Sequence, residues 1–164
     1  MNTYLPYFME RAIELSKDAY LSEEGLPIGC VIVKNGIIIS EGHNEIFKRK
    51  NPTAHGEMVA IEKACLSIDN LLLEDCELYT TLEPCPMCFS AIYWAKIKTV
   101  YYACTNEDAA KVGFDDSFIF EQMQKDKSEQ LIPMHHFENI NAFAVLTEWK
   151  SLEQKSAQPW QNQE

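Results

Sequence analysis

Long apolar runs are missing from these 164 residues, and no stretch approaches the roughly 18–20 apolar residues that a membrane helix requires, which excludes a spanning helix. The segment from Met1 to Leu21 scatters Arg11 and Lys17 through an apolar pattern. It shows neither a basic leader nor a small-residue cleavage site, so no secretory signal is expected and the expected location is cytoplasmic. Positive charge is also scarce, with 14 Lys and Arg against 25 Asp and Glu for a net charge of −11. Phosphate backbones are bound mainly through Lys and Arg, so this balance weighs against nucleic acid and favours a small neutral substrate. The one tight basic cluster, Lys48-Arg49-Lys50, reads as a solvated loop.

Repeats and linkers are absent too. The length fits one domain over residues 1–155, followed by a loose polar tail over 156–164 in which Trp160 is out of character. With 46% hydrophobic and 24% charged residues the composition is that of an ordinary globular protein. In a reducing compartment its six cysteines are expected to remain thiols.

Phe8, Ala12, Leu15 and Ala19 recur at helical steps and predict an amphipathic helix ending before Gly25-Leu26-Pro27. The β-branched runs Ile28 to Val33 and Ile37 to Ser40 flank Asn35-Gly36, the preferred tight hairpin turn. A helix follows from Thr53, its possible N-cap, towards Ser67, and puts His55 and Glu57 in its first turn. Glu77 to Leu82 reads as a strand. Pro86 reads as the first residue of another helix, with Cys85 at the cap and Cys88 as the third helical residue. Strands at Thr99 to Cys104 and Ile132 to Phe137, helices at Asp108 to Met123 and Asn141 to Gln154, complete the order. The expectation is a three-layer α/β/α sandwich around a mixed five-stranded sheet.

His55-Gly56-Glu57 and, after a strand, Pro84-Cys85-Pro86-Met87-Cys88 form the H-x-E…P-C-x-x-C signature of zinc deaminases. A structural zinc normally takes four protein ligands, whereas His55, Cys85 and Cys88 make three and leave a position for water. A redox Cys-x-x-Cys would explain neither His55 nor Glu57. The pattern therefore predicts a catalytic Zn²⁺ held by His55, Cys85 and Cys88, with Glu57 as the general acid–base. Helix N-termini suit the ligands because their positive dipole ends favour thiolates. Cys30, Cys65, Cys76 and Cys104 lack metal spacing and are expected to behave as small buried apolar groups. His135-His136 is expected to be structural, and His43 has no assigned role.

Beyond that signature, Asn51-Pro52-Thr53-Ala54-His55, Ala91-Ile92-Tyr93-Trp94-Ala95 and Gly113-Phe114-Asp115-Asp116-Ser117-Phe118-Ile119 resemble the cytidine deaminase superfamily, and within it the bacterial guanine deaminases. The resemblance spans nearly the whole chain. It implies a cytidine deaminase-like fold and hydrolysis of guanine to xanthine and ammonia, in purine catabolism or salvage. It also implies that Asp116 is a second pocket carboxylate, while Asp115 reads as a turn or cap residue, and that Asn44 contacts the base. A homodimer follows from the same resemblance, with C-terminal segments that can be exchanged between subunits. Three departures stand against the pattern. His-Gly-Glu replaces His-Ala-Glu, and Pro27-Ile28-Gly29 replaces Pro-Phe-Gly; both variants resemble fungal cytosine deaminase. The tail lacks the closing tyrosine of these guanine deaminases, and Trp160 is the aromatic residue that could replace it. Deaminases of cytosine, of another base or nucleoside, or of tRNA adenosine therefore remain alternatives, as does a noncatalytic zinc-stabilised binding module, against which the intact Glu57 argues.

Overall fold

In the computed structural model the described residues run from 5 to 153, and the chain divides into two compact units, Met1–Ile119 and Phe120–Glu164. The first unit contains α1 (Pro6–Leu21), β1 (Gly29–Lys34), β2 (Ile37–His43), α2 (Ile46–Arg49), α3 (Gly56–Ile68), β3 (Cys76–Leu82), α4 (Pro86–Trp94), β4 (Thr99–Cys104) and α5 (Asn106–Lys111). Helix α6 (Ser117–Gln124) crosses the boundary, and α7 (Ile140–Glu153) belongs to the second unit.

The strands form one mixed sheet in the order β2-β1-β3-β4, with β1 antiparallel to both neighbours and β3 parallel to β4. Two residues, Asn35 and Gly36, turn the β1–β2 hairpin, and both have positive φ (52° and 76°), as a turn matching the twist of the strands demands. The parallel step from β3 to β4 needs a crossover, which α4 supplies.

Successive side chains on β1 point to opposite faces, and each face meets a different layer of helix. Val31 and Val33, with Tyr79 of β3, pack on Phe8, Met9, Ala12 and Leu15 of α1. Cys30 and Ile32, with Cys76 and Leu78, pack on Ala60 and Ala64 of α3 and Ile92 and Ala95 of α4. Ile32 and Leu78 are fully buried, and each such side chain stabilises the fold by about 1.5–3 kcal/mol. The same alternation that buries Cys76 and Leu78 turns Thr80 towards α3.

The described residues form four strands, not five. The run Ile132 to Phe137 has no regular structure and lies exposed, with Ile132 and Phe137 about four-fifths accessible. Pro133 removes a ladder donor from that run and restricts the residue before it. His135 and His136 are consequently exposed in irregular backbone. The single helix expected over Asp108 to Met123 is broken into α5 and α6, because Gly113 adopts φ +93° and Asp115 Oδ1 accepts from Ser117 N–H at 2.9 Å. Thr53 does not cap α3, whose N-cap is His55; the Thr53 N–H and hydroxyl both bond to Asn51 Oδ1. Lys48 and Arg49 end a short helix, α2, which stops at Lys50 in the left-handed region. Among the cysteines outside the motif, Cys30 and Cys76 are buried, Cys65 is intermediate and Cys104 is exposed, since the end of β4 lies open at the sheet edge.

Candidate active site

Two helix starts converge at the end of β3. His55 stands at the N-cap of α3 and Cys85 at the N-cap of α4, where Pro86 at the first helical position gives up an N–H that needs no partner. Cys88 follows three residues after Cys85 and is fully buried. His55 Nδ1 lies 3.6 Å from Cys85 Sγ and 3.6 Å from Cys88 Sγ. The three donor atoms lie within 4.8 Å of one another, close enough to share one ion.

Glu57 lies in the first turn of α3 and is only 3% exposed. Its Oε2 accepts from Cys88 Sγ at 3.5 Å, and its Oε1 accepts from Thr80 Oγ1 at 3.3 Å. Burial is the first cause that pushes the Glu57 carboxyl above its usual range. Cys85 goes the other way: hydrogen bonding from Cys88 first, then from His55, draws its thiol down to about 4. The same bond to Cys85, with burial, pushes Cys88 up. His55 is raised first by its bond to Cys85. One thiol of the pair thus already favours the thiolate, beside an imidazole, which is a donor set suited to a borderline-soft divalent ion.

Asp116 is half-buried, and its carboxyl is raised first by burial and next by the nearby charge of Cys85; it in turn acts on His55. Asp115, by contrast, is exposed and serves the turn before α6. Asn44 is fully buried just after β2. Its Oδ1 accepts from the Leu26 N–H at 3.1 Å and the Ile46 N–H at 3.3 Å, while Nδ2 is buried without a partner. Its backbone N–H bonds to Ile28 O at 2.9 Å, and Glu45 N–H bonds to Ala54 O at 2.9 Å, which brings this bend alongside the start of α3. The two departures Ile28 and Gly56 are also neighbours: a Cβ on Gly56 would stand 3.1 Å from the Ile28 carbonyl oxygen.

The structure thus brings His55, Cys85, Cys88 and Glu57 together, leaves Asp116 half-buried under the charge of Cys85, and lays the Asn44 bend alongside the start of α3, while Trp160 lies outside the described residues. Thr80 was missed by the sequence reading, although the β3 alternation marks it as facing α3.

The chain resembles known proteins. Residues 3–104 match the family described as the cytidine and deoxycytidylate deaminase zinc-binding region. The guanine deaminase of Bacillus subtilis (strain 168) is 43% identical over 148 residues, covering 90% of this chain and 95% of that protein. A crystal structure of guanine deaminase from Bacillus subtilis superposes with a TM-score of 0.88 at 42% identity, covering 91% of this chain and 95% of that one. A tRNA-specific adenosine deaminase of Aquifex aeolicus (strain VF5) is 44% identical, but over 62% of this chain and 66% of its own length.

Proposed function

Since the chain belongs to the cytidine and deoxycytidylate deaminase family, we propose that it hydrolyses the exocyclic amino group of a free nucleobase, converting guanine and water to xanthine and ammonia. The observation that carries this reading is the buried Glu57 carboxylate placed beside, but not among, three metal-ligand side chains. Three ligands leave a position free for chemistry, where a purely structural zinc would use a fourth protein donor.

His55, Cys85 and Cys88 would hold the ion, and zinc bound there would supply Lewis acidity that makes water a usable nucleophile near neutral pH. Glu57 takes the proton of the attacking water as the C–O bond forms at the amino-bearing carbon. It delivers that proton to the adjacent ring nitrogen and then assists ammonia as the C–N bond breaks. Its burial excludes bulk water and raises its basicity towards the working pH. Asp116 accepts from the donor edge of guanine, the ring N–H and amino group. Asn44 donates through Nδ2 to an acceptor on the base, because its Oδ1 is already taken by two backbone N–H groups.

Ammonia release from guanine, cytosine, adenine and their nucleosides tests the reading. Guanine turnover by zinc-loaded protein, absent in a Glu57→Ala blank, is the expected result. Turnover of cytosine alone would transfer the assignment to the departures at Ile28 and Gly56, and silence on every base would end it.

The reading extends to a homodimer with exchanged C-terminal segments, with 1–155 as the deaminase domain and the 156–164 tail, through Trp160, closing the site. Exposure on α7 supports it: Phe143, Val145, Leu146 and Trp149 are all more than half accessible, an apolar surface of the kind that marks an interface. A chain truncated before Ser156 is expected to sediment as a dimer, like the full chain, yet to show a raised KM for guanine. A monomeric full chain would refute the assembly, and an unchanged KM would refute the closing role of the tail. Two ligand thiols that must stay reduced suit a cytoplasmic setting.

A further inference from the structure

The segment Glu24-Gly25-Leu26 meets Asn44 and both of its chain neighbours. Leu26 donates its N–H to Asn44 Oδ1. Gly25 passes so close that any Cβ there would overlap the Asn44 carbonyl and Oδ1, so only glycine permits the approach. The Glu24 carboxylate receives His43 Nε2 at 2.7 Å and Lys48 Nζ at 3.0 Å. The backbone carbonyl of Glu24 accepts from Phe47 N–H at 3.0 Å and Lys48 N–H at 3.1 Å, which satisfies donors at the start of α2. One residue thus holds the chain on both sides of Asn44.

Charge explains why this cluster is a clamp and not a second ion site. Donor atoms of Glu24, His43 and Glu45 lie within 4.8 Å of one another. Lys48 already lies against both carboxylates, and Arg49 bonds to Glu45, so two positive side chains balance two negative ones without any metal. Next to an ionised carboxylate, which can only accept, His43 Nε2 carries the proton and donates it. Rotating the Asn44 amide would turn Nδ2 against the N–H groups of Leu26 and Ile46, so its direction is fixed for as long as that segment stays in place.

We propose that Glu24 is a positioning residue for base binding, acting through His43 and the first turn of α2 to keep the unpaired Nδ2 of Asn44 aimed at the substrate. The proposal rests on the reading that Asn44 meets the base.

The test is a double-mutant cycle on zinc-loaded protein, using the base that wild-type protein turns over. Glu24→Ala is expected to raise KM by about tenfold, the scale of one well-aligned hydrogen bond, with kcat changed much less and zinc content unchanged. In an Asn44→Ala background the same substitution should add almost nothing, since residues acting as one unit are not additive. Should Glu24→Ala not fold, Glu24→Gln, which keeps an acceptor for His43, carries the same cycle with a smaller effect. Independently of any substrate, the ¹⁵N signal of the Asn44 side-chain amide should be dispersed and exchange-protected in the wild type and should lose both properties in the Glu24 variant. An unchanged amide signal, or equal KM increases in both backgrounds, would overturn the proposal. Turnover of cytosine in place of guanine would sink the substrate reading and leave the clamp standing, and with no turnover of any base the amide signal decides alone.

Discussion

Glu57→Gln should reduce kcat by about 10²–10⁴-fold, the span that general acid–base catalysis supplies, while zinc stays bound at one ion per chain. Glutamine keeps the volume of Glu57 and offers Thr80 Oγ1 an acceptor, so the packing at the end of β3 survives. What it cannot do is carry a proton between water, ring nitrogen and leaving ammonia. The ligand atoms of His55, Cys85 and Cys88 are untouched, so metal analysis separates loss of chemistry from loss of the site. Stability adds a check of opposite sign. A carboxyl whose folded pKa is raised by burial binds its proton more tightly in the folded chain. Its contribution to stability therefore declines as pH climbs from the unfolded value, about 4.3, through the raised one. The metal-free Glu57→Gln protein should accordingly be at least as resistant to urea as metal-free wild type at pH 7. Full turnover in the variant, measured as ammonia release, would remove Glu57 from the mechanism.

The legibility of this site in the sequence follows from where its parts are encoded. His55 and Glu57 sit two residues apart, Cys85 and Cys88 three, and each pair rides on one helix start, so spacing alone carries the geometry. Asp115 and Asp116 are adjacent, yet the first is exposed and caps the turn into α6 whereas the second is half-buried, with its carboxyl raised first by burial and next by the charge of Cys85. The direction of the Asn44 amide was not legible, because it is set by the N–H of Leu26, distant in the chain, and by Gly25 passing beside it. His43 looked idle for the same reason: its partner is Glu24, across the loop. Ile28 and Gly56 stand 28 positions apart in the sequence, but a Cβ at Gly56 would lie 3.1 Å from the Ile28 carbonyl oxygen, a backbone proximity that spacing alone did not reveal. The fifth strand failed on different grounds. Periodicity marks a segment able to pair; it does not say which chain supplies the edge, and Ile132 to Phe137 are unpaired in the single chain.

Removing the metal should abolish turnover without unfolding the protein. Small zinc domains unfold when chelated because the ion replaces a core. Here the ligands stand on helices that the sheet already holds: Cys88 is buried at the start of α4, while Ile92 and Ala95 farther along it pack on Ile32 and Leu78, and Ala60 and Ala64 of α3 pack on the same face. Far-UV circular dichroism of protein dialysed against chelator should therefore overlay that of the loaded protein. The thermal midpoint should fall, since a ligand at about 1,000 times its Kd stabilises by about 4 kcal/mol. The two thiols set the direction of pH dependence: Cys85 is drawn down to about 4 and gives up its proton readily, whereas Cys88 is pushed up and must lose one for zinc to bind. Uptake should hence weaken on acidification, with protons released as the ion binds, followed with an indicator dye. Zinc added to the folded apoprotein should restore ammonia release without a refolding step. Loss of the circular dichroism signal on chelation would make the ion structural, and turnover that survives complete removal of metal would exclude it from the reaction.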